Sequence, residues 1–371
     1  MPKILIVANT SWNIINFRAN LIRRLVSEGY EVVIAAGIDQ YSDQIQGLGA
    51  RFVKLRIRSH SINLWDEFLL LMDLMLIFRK ERPVIFLGYT IKPNIYGSLA
   101  AIFFKIPTIN NIAGLGTVFV TKSMISKLVS LMYKLSLSKS STVFFQNKDD
   151  LELFTSQSII QKKHACLLPG SGVDLKKFKY SPIPASNKLR FLLIARLLWD
   201  KGVGEFAEAA RILKQEDINV EMCLLGFIDS KNSSSVPKSK IDEWVSDGLV
   251  TYLGVTDNVR EEIAKAHCVV LPSYYREGTP RALLEGAAMG RPIIAADSIG
   301  CRDVVDDGVN GYLCRPKDAY DLANKISTIA SMEHYIREQM GLLSRKKVRD
   351  EFDEETVINA YLDSIRSVYS N

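Results

Sequence analysis

Short runs of apolar, mostly β-branched residues recur along the first half of the chain, at residues 4–8, 31–36, 52–55, 84–87, 108–110, 143–145 and 165–168. Between them lie segments whose apolar positions return every three to four residues, the spacing of one helix face. Continuous apolar runs alternating with helical stretches are the mark of βαβ units, so the pattern predicts a parallel sheet covered by helices. The tract Pro169-Gly170-Ser171-Gly172 and residues 181–187 (SPIPASN) interrupt both periods, as a connection between domains does. The rhythm then restarts at 191–195, 220–225, 250–253, 269–271 and 293–295, and the last fifty or so residues read as consecutive helices. The expected class is α/β: two Rossmann-like domains whose parallel sheets face a central cleft. The expected parts are a first domain over 1–170, a linker over 171–188, a second domain over 189–352, and a C-terminal helix over 353–371 able to cross back to the first.

Length agrees with this division, because 371 residues with 47% apolar and 24% charged positions exceed what one core usually organises. The five cysteines are an odd number without a C-x-x-C pair, which suits reduced thiols and a cytoplasmic location rather than a disulfide framework or zinc site. The opening MPKILIVA reads as a first buried strand, too brief for a signal peptide. The most apolar helical stretch, residues 64–78, carries Asp66, Glu67 and Asp73 and falls short of the roughly 20 residues of a membrane span. Charge is uneven. Residues 1–180 hold 23 Lys+Arg against 12 Asp+Glu, leaving 24 against 29 for the remainder, or +11 against −5. The first half is therefore either a solvated basic face or the part that meets an anion, be it a lipid leaflet, a polyprenyl diphosphate or nucleic acid.

Two motifs carry chemistry. Glu277-Gly278-Thr279-Pro280-Arg281-Ala282-Leu283-Leu284-Glu285 follows the strand at 269–271. A helix starting at Pro280 would aim the free N–H groups of residues 279–283 at an anionic ligand. Glu277 would then precede the helix and Glu285 lie about a turn and a half inside it, so both carboxylates can line one ligand. Two arbitrary glutamates would be a loop acid and a solvated helical acid. Gly286-Ala287-Ala288 beside Glu285 instead marks a closely packed helix. The second motif, Arg196-Leu197-Leu198-Trp199-Asp200-Lys201-Gly202, ends the first strand of the second domain. There Arg196 and Lys201 can converge on a diphosphate, the one as a fork and the other as a point charge, unless each is simply a solvated loop cation.

The R-x4-K-G and E-x7-E elements, with their order and separation, resemble family 4 of the retaining glycosyltransferases, which have the GT-B architecture, over essentially the whole chain. Asn16-Phe17-Arg18, Gly114-Leu115-Gly116 and the stretch 195–202 look most like members that add N-acetylgalactosamine or a related sugar, in alpha linkage, to undecaprenyl-diphosphate-linked amino sugars. The resemblance implies that Arg196 and Lys201 hold the diphosphate of a UDP-linked donor, Glu277 contacts the transferred sugar and Glu285 the ribose. Gly278 and Thr279 would supply backbone donors, and main-chain groups at Gly226 and Leu253 would hold the base. It also implies no cofactor and no metal, with front-face attack by the acceptor hydroxyl. Many relatives place a histidine near the reacting sugar. This chain has Asn110-Asn111-Ile112 in that region, and neither His60 nor His164 fits, so Asn111 or backbone around Gly114 and Gly116 is the expected substitute.

In the first domain, the loop 9–13 and the helix that carries Arg18 are candidates for the acceptor phosphate, with Asn13, Arg18, Gly114 and Gly116 as contacts. The loop lacks G-x-G-x-x-G, which disfavours a nicotinamide or flavin dinucleotide. Residues 122–139 set Lys122, Lys127, Lys134 and Lys139 among apolar residues. With Arg51, Lys54, Arg56 and Arg58 they favour a peripheral contact with the anionic inner face of the cytoplasmic membrane, although an ordinary packing helix also explains the apolar positions. Two other readings compete: a sugar-nucleotide epimerase or hydrolase on the same fold, and a nucleic-acid-binding protein. The second lacks any recognised binding motif, and nucleic acid is not an expected partner.

Overall fold

The structure, a computed structural model, describes residues 1–58, 63–115, 124–186, 188–230 and 232–369. It separates into two compact units, Met1–Ser171 with Glu355–Asn371, and Gly172–Glu354.

In the first unit the strands are β1 (Lys3–Thr10), β2 (Glu31–Gly37), β3 (Arg51–Lys54), β4 (Ile85–Tyr89), β5 (Thr108–Ile112), β6 (Ser140–Phe145) and β7 (Ala165–Leu167). The helices are α1 (Ser11–Phe17), α2 (Ala19–Ser27), α3 (Leu64–Glu81), α4 (Ser98–Phe104), α5 (Met124–Ser136) and α6 (Lys148–Ser156). The strands pair in parallel in the order β3-β2-β1-β4-β5-β6-β7. Winding proceeds outward in both directions from β1 and β4, and a crevice at the carboxyl ends of such a pair is where open α/β sheets take ligands. Alternate residues of β1 feed opposite faces, as the pleat requires. Ile4, Ile6 and Ala8 join the core under α1 and α2, whereas Leu5 and Val7 join the core under α3 and α4. Apolar residues of α5 and α6 continue that second layer over Val143 and Phe145 of β6.

The second unit contains β8 (Leu189–Ile194), α7 (Val203–Gln215), β9 (Val220–Leu225), α8 (Lys238–Ser246), β10 (Thr251–Tyr252), α9 (Val259–Lys265) and β11 (Cys268–Leu271). It continues with α10 (Arg281–Ala288), β12 (Ile293–Ala296), β13 (Gly311–Cys314), α11 (Ala319–Ser331) and α12 (His334–Glu351). Its parallel order β10-β9-β8-β11-β12-β13 puts the equivalent crevice between β8 and β11.

Three local expectations need correction. Residues 171–188 do not behave as a free linker. Val173, Phe178 and Ile183 are buried, and Val173 N–H donates to the Phe352 carbonyl at 2.9 Å, so the segment is built into the second unit. The strand β13 was not anticipated, because four residues between two turn tracts are too few to show a period. The helix after Glu277 begins at Arg281, with Pro280 as its cap. The last helix, α13 (Glu354–Tyr369), places Val357, Ile358, Tyr361, Leu362 and Ile365 in the core of the first unit beside Ile4 and Ile6.

Candidate functional site

Arg196 and Lys201 leave the sheet at the end of β8, and Glu277 follows the end of β11, its neighbour. Lys201 sits on a single 3-10 turn that closes at Gly202, whose φ of +75° and close approach to the Pro272 backbone leave no room for a Cβ. This contact docks the β8 loop onto the β11 loop. Lys201 Nζ and Glu277 Oε1 form an ion pair, each side chain only 12% exposed. Ser273 Oγ donates to the same carboxylate oxygen at 3.0 Å, and the Lys201 ammonium stands 4.7 Å from the centroid of the Tyr275 ring. The Asp200 carbonyl accepts from the N–H groups of Tyr274 and Tyr275, both at 3.0 Å, which fixes the loop that carries Glu277. Arg196 Nη1 reaches Asp229 Oδ2 at 3.5 Å.

Glu285 lies on α10 and accepts from Arg281 Nε at 3.1 Å, one turn earlier. Burial pushes its carboxyl above the usual range despite the charges of Arg281 and Lys177. Of the N–H groups expected to face an anion, that of Leu283 is already committed, donating to the Pro280 carbonyl at 3.2 Å. Gly278 and Thr279, within the loop between β11 and α10, are buried. At the two positions whose main chain is expected to hold a base, the N–H groups make other bonds: Gly226 donates to the Gly254 carbonyl and Leu253 to that of Leu224, each at 2.8 Å. Those two N–H groups are therefore spent within the second unit, while the carbonyls of both residues remain main-chain acceptors.

In the first unit Arg18 is buried, 4% exposed, with its guanidinium carbon 4.4 Å from the centroid of the Tyr89 ring. Its Nη1 donates to the Phe17 carbonyl at 3.3 Å, while its buried Nε has no hydrogen-bond partner and no carboxylate neutralises it among the described residues. A cation held out of water without a counter-charge is costly, which marks the position as fit for an anion. Beside it, across the β1/β4 switch point, Thr90 Oγ1 donates to Asn9 Oδ1 at 2.8 Å, and Thr90 holds a left-handed φ of +69°. Strain at a non-glycine residue of this kind gathers at ligand sites. Asn13 is half-buried on α1, whose N-cap Thr10 accepts from the Asn13 N–H at 3.2 Å. Gly114 adopts φ +101° just after β5, and Gly116, like Lys122 and His60, lies outside the described residues.

Asn111 is elsewhere than expected. It is wholly buried, its Nδ2 donates to the Tyr361 hydroxyl at 2.9 Å, its Oδ1 accepts from Gln146 Nε2 at 3.1 Å, and its carbonyl accepts from Asn94 Nδ2 at 2.8 Å. With each end of its amide bonded inside the core and no exposed surface, Asn111 braces α13 on the sheet. Arg51, Arg56 and Arg58 also differ from the expectation of a free basic face, since they pair with Glu81, Asp73 and Asp66 respectively. Sequence reasoning missed Ser273, Tyr275, Asp229 and Thr90. Ser273 and Tyr275 sit within four residues of Glu277, so proximity was an available signal, whereas the left-handed φ of Thr90 leaves none.

The family model described as Glycosyl transferase 4-like matches residues 3–147, and that described as Glycosyl transferases group 1 matches residues 188–332. One sequence relative is the N,N'-diacetylbacillosaminyl-diphospho-undecaprenol alpha-1,3-N-acetylgalactosaminyltransferase of Campylobacter jejuni, 28% identical with 97% of each chain covered. Another is the UDP-Gal:alpha-D-GlcNAc-diphosphoundecaprenol alpha-1,3-galactosyltransferase of Escherichia coli, 23% identical over 83% of this chain and 81% of that one. Among solved structures, sucrose-phosphate synthase of Thermosynechococcus elongatus is similar at TM-score 0.82 and 18% identity, covering 100% of both chains. Anabaena HepE in complex with UDP and glucose is similar at TM-score 0.81 and 16% identity, covering 99% of this chain and 100% of that one. At those identities the structural likeness is one of fold.

Proposed function

This chain belongs to the glycosyltransferases of the GT-B class, with a 4-like first half and a group 1 second half, and from that premise we propose the reaction it performs. It transfers an N-acetylhexosamine, N-acetylgalactosamine in the first instance, from its UDP donor in alpha linkage to an undecaprenyl-diphosphate-linked saccharide during polysaccharide or glycoprotein glycan assembly. The acceptors named for the Campylobacter and Escherichia relatives, the sugar named for the first and the UDP-linked donor named for the second support this choice. The enzyme works peripherally on the inner face of the cytoplasmic membrane. No helix among the described residues is long and apolar enough to cross one.

The observation that carries the reading is the contact of Lys201 with Glu277, 76 residues apart in sequence and held together at the ends of adjacent strands. A diphosphate is a stronger partner for Lys201 and Arg196 than the carboxylates that hold them in the free protein, and two cations can replace a metal ion there. Arg196 leaves Asp229 and Lys201 leaves Glu277 when the donor enters. Glu277 is then free to accept from hydroxyls of the transferred sugar, and Glu285 from those of the ribose. The sugar C1–O bond to the diphosphate breaks as a new C1–O bond to the acceptor forms on the same face. The acceptor's hydroxyl proton passes to the leaving diphosphate, whose growing charge the two cations stabilise. Configuration is thereby retained without an enzymic nucleophile. Arg18 and Asn13 hold the acceptor's diphosphate at the crevice of the first unit.

A panel of UDP, GDP and dTDP sugars with a short-chain polyprenyl-diphosphate amino-sugar acceptor, in chelator, tests this. Transfer from one UDP-sugar that Glu277→Ala lowers at least about a hundredfold is the expected result. Consumption of UDP-sugar without acceptor would move the assignment to an epimerase or hydrolase.

A further inference from the structure

Helix α3 is apolar on two opposite sides. At about 100° per residue, Leu70, Leu74, Ile77 and Phe78 fall on the side that packs on the sheet, and all four are buried. Trp65, Phe68, Met72 and Leu76 fall on the other side, between 42% and 64% exposed. The rings of Trp65 and Phe68 stack there with centroids 5.6 Å apart. Helix α4 packs against both α3 and α5 and adds Phe103, 70% exposed. Helix α5 repeats the arrangement, burying Tyr133 and turning Leu128, Leu131 and Leu135 outward at one-face spacing, each more than half exposed. A surface helix of a water-soluble protein buries one stripe and wets the other. Scattered exposed apolar residues need no explanation, but two helices presenting a second apolar side, with Phe103 on the helix that packs against both, do.

Charge says what fits this face. Between Glu81 and Asp149 the sequence holds no Asp or Glu. Lys105, Lys127, Lys134 and Lys139 are exposed, and none has an ion-pair partner among the described residues. The four acids of α3 are all paired, Asp66 with Arg58, Glu67 with Lys92, Asp73 with Arg56 and Glu81 with Lys3 and Arg51. A second copy docking the same face on itself would bring its lysines together, which opposes association. An anionic bilayer satisfies both features, taking the apolar side chains at the acyl boundary and the lysines at its phosphates. We propose that the α3–α4–α5 face of the first unit is the membrane-docking surface, inserted in the headgroup layer of anionic phospholipid. This deepens the peripheral location proposed above and rests on it.

The full-length protein is sedimented with phosphatidylglycerol–phosphatidylcholine vesicles and with phosphatidylcholine alone, and transfer to a short-chain acceptor is assayed in parallel without vesicles. Binding to the anionic vesicles only, lowered by high salt, is expected. Brominated acyl chains should quench emission in the wild type and much less in Trp65→Tyr. The pairs Phe68→Ser/Leu131→Ser and Lys127→Glu/Lys134→Glu should each weaken binding roughly tenfold or more while leaving transfer in solution intact. Absence of vesicle binding, or binding that both pairs leave unchanged, overturns the proposal. So does a dimer in sedimentation velocity that Phe68→Ser/Leu131→Ser dissolves, since the face would then belong to a second copy. Intact vesicle binding without any sugar transfer would keep the surface and remove the transferase reading, and the reverse would remove only the surface.

Discussion

His267 shows how burial, ahead of neighbouring charge, sets a residue's contribution. It is 2% exposed, its Nδ1 accepts from the Arg190 N–H at 2.9 Å, and burial, aided by the charge of Arg337, pulls its imidazole down to about 4 from an ordinary 6.5. The folded ring stays neutral while the unfolded one takes a proton, so stability falls as pH drops from about 6.5 toward 4 and is unaffected above. The loss should reach about 3 kcal/mol. His267→Asn, which keeps an acceptor for Arg190, should flatten the dependence of melting temperature on pH across that window. Asn111→Ala gives the complementary case. It removes the donor to the Tyr361 hydroxyl and an acceptor from the Gln146 amide, a loss of about 1–3 kcal/mol for buried hydrogen bonds of this kind. Urea unfolding should show the loss, while turnover of the remaining folded enzyme stays unchanged. A fall in kcat at full stability would return Asn111 to the site.

Among the elements, α10 and its preceding loop carry the heaviest demand. Their position depends on Gly300, which follows β12 with φ +80° and passes so close to the Gly278 and Glu277 backbone that a Cβ would overlap it. Gly300→Ala should therefore push the Glu277 loop off Lys201. The expected outcome is a loss of about 1–3 kcal/mol in thermal stability, with UDP affinity falling by more than it does in a surface variant such as Lys238→Ala. Affinity retained at wild-type level would mean that the loop tolerates the shift. Elements also show what pattern reading leaves open. Helix α3 is legible as a helix from its sequence, but its two apolar sides do not tell which one meets the sheet.

For the whole molecule the decisive segment is the C-terminal helix. Five of its side chains, Val357, Ile358, Tyr361, Leu362 and Ile365, are at most 3% exposed in the core of the first unit, more than three hundred positions from Ile4 and Ile6. At about 1.5–3 kcal/mol for each buried side chain, their sum rivals the net stability of a whole domain. Deleting residues 355–371 should leave the first unit open to rapid proteolysis while the second stays resistant. A first unit equally resistant without them would show that the helix is an ornament on a self-sufficient sheet.

What the sequence determined alone is whatever depends on neighbours along the chain. The βαβ rhythm, the two sheets and the family likeness carried by R-x4-K-G and E-x7-E are local patterns, and local sterics and hydrophobic periods express them directly. Tertiary structure decided which groups meet. It committed the N–H groups of Gly226 and Leu253, drew Arg51, Arg56 and Arg58 into ion pairs, and buried Asn111 against Tyr361. It also buried the Arg18 Nε without a hydrogen-bond partner among the described residues and turned one side of α3 outward. Each of these depends on a partner distant in sequence, or on which side of a helix the sheet covers, and no spacing along the chain encodes either.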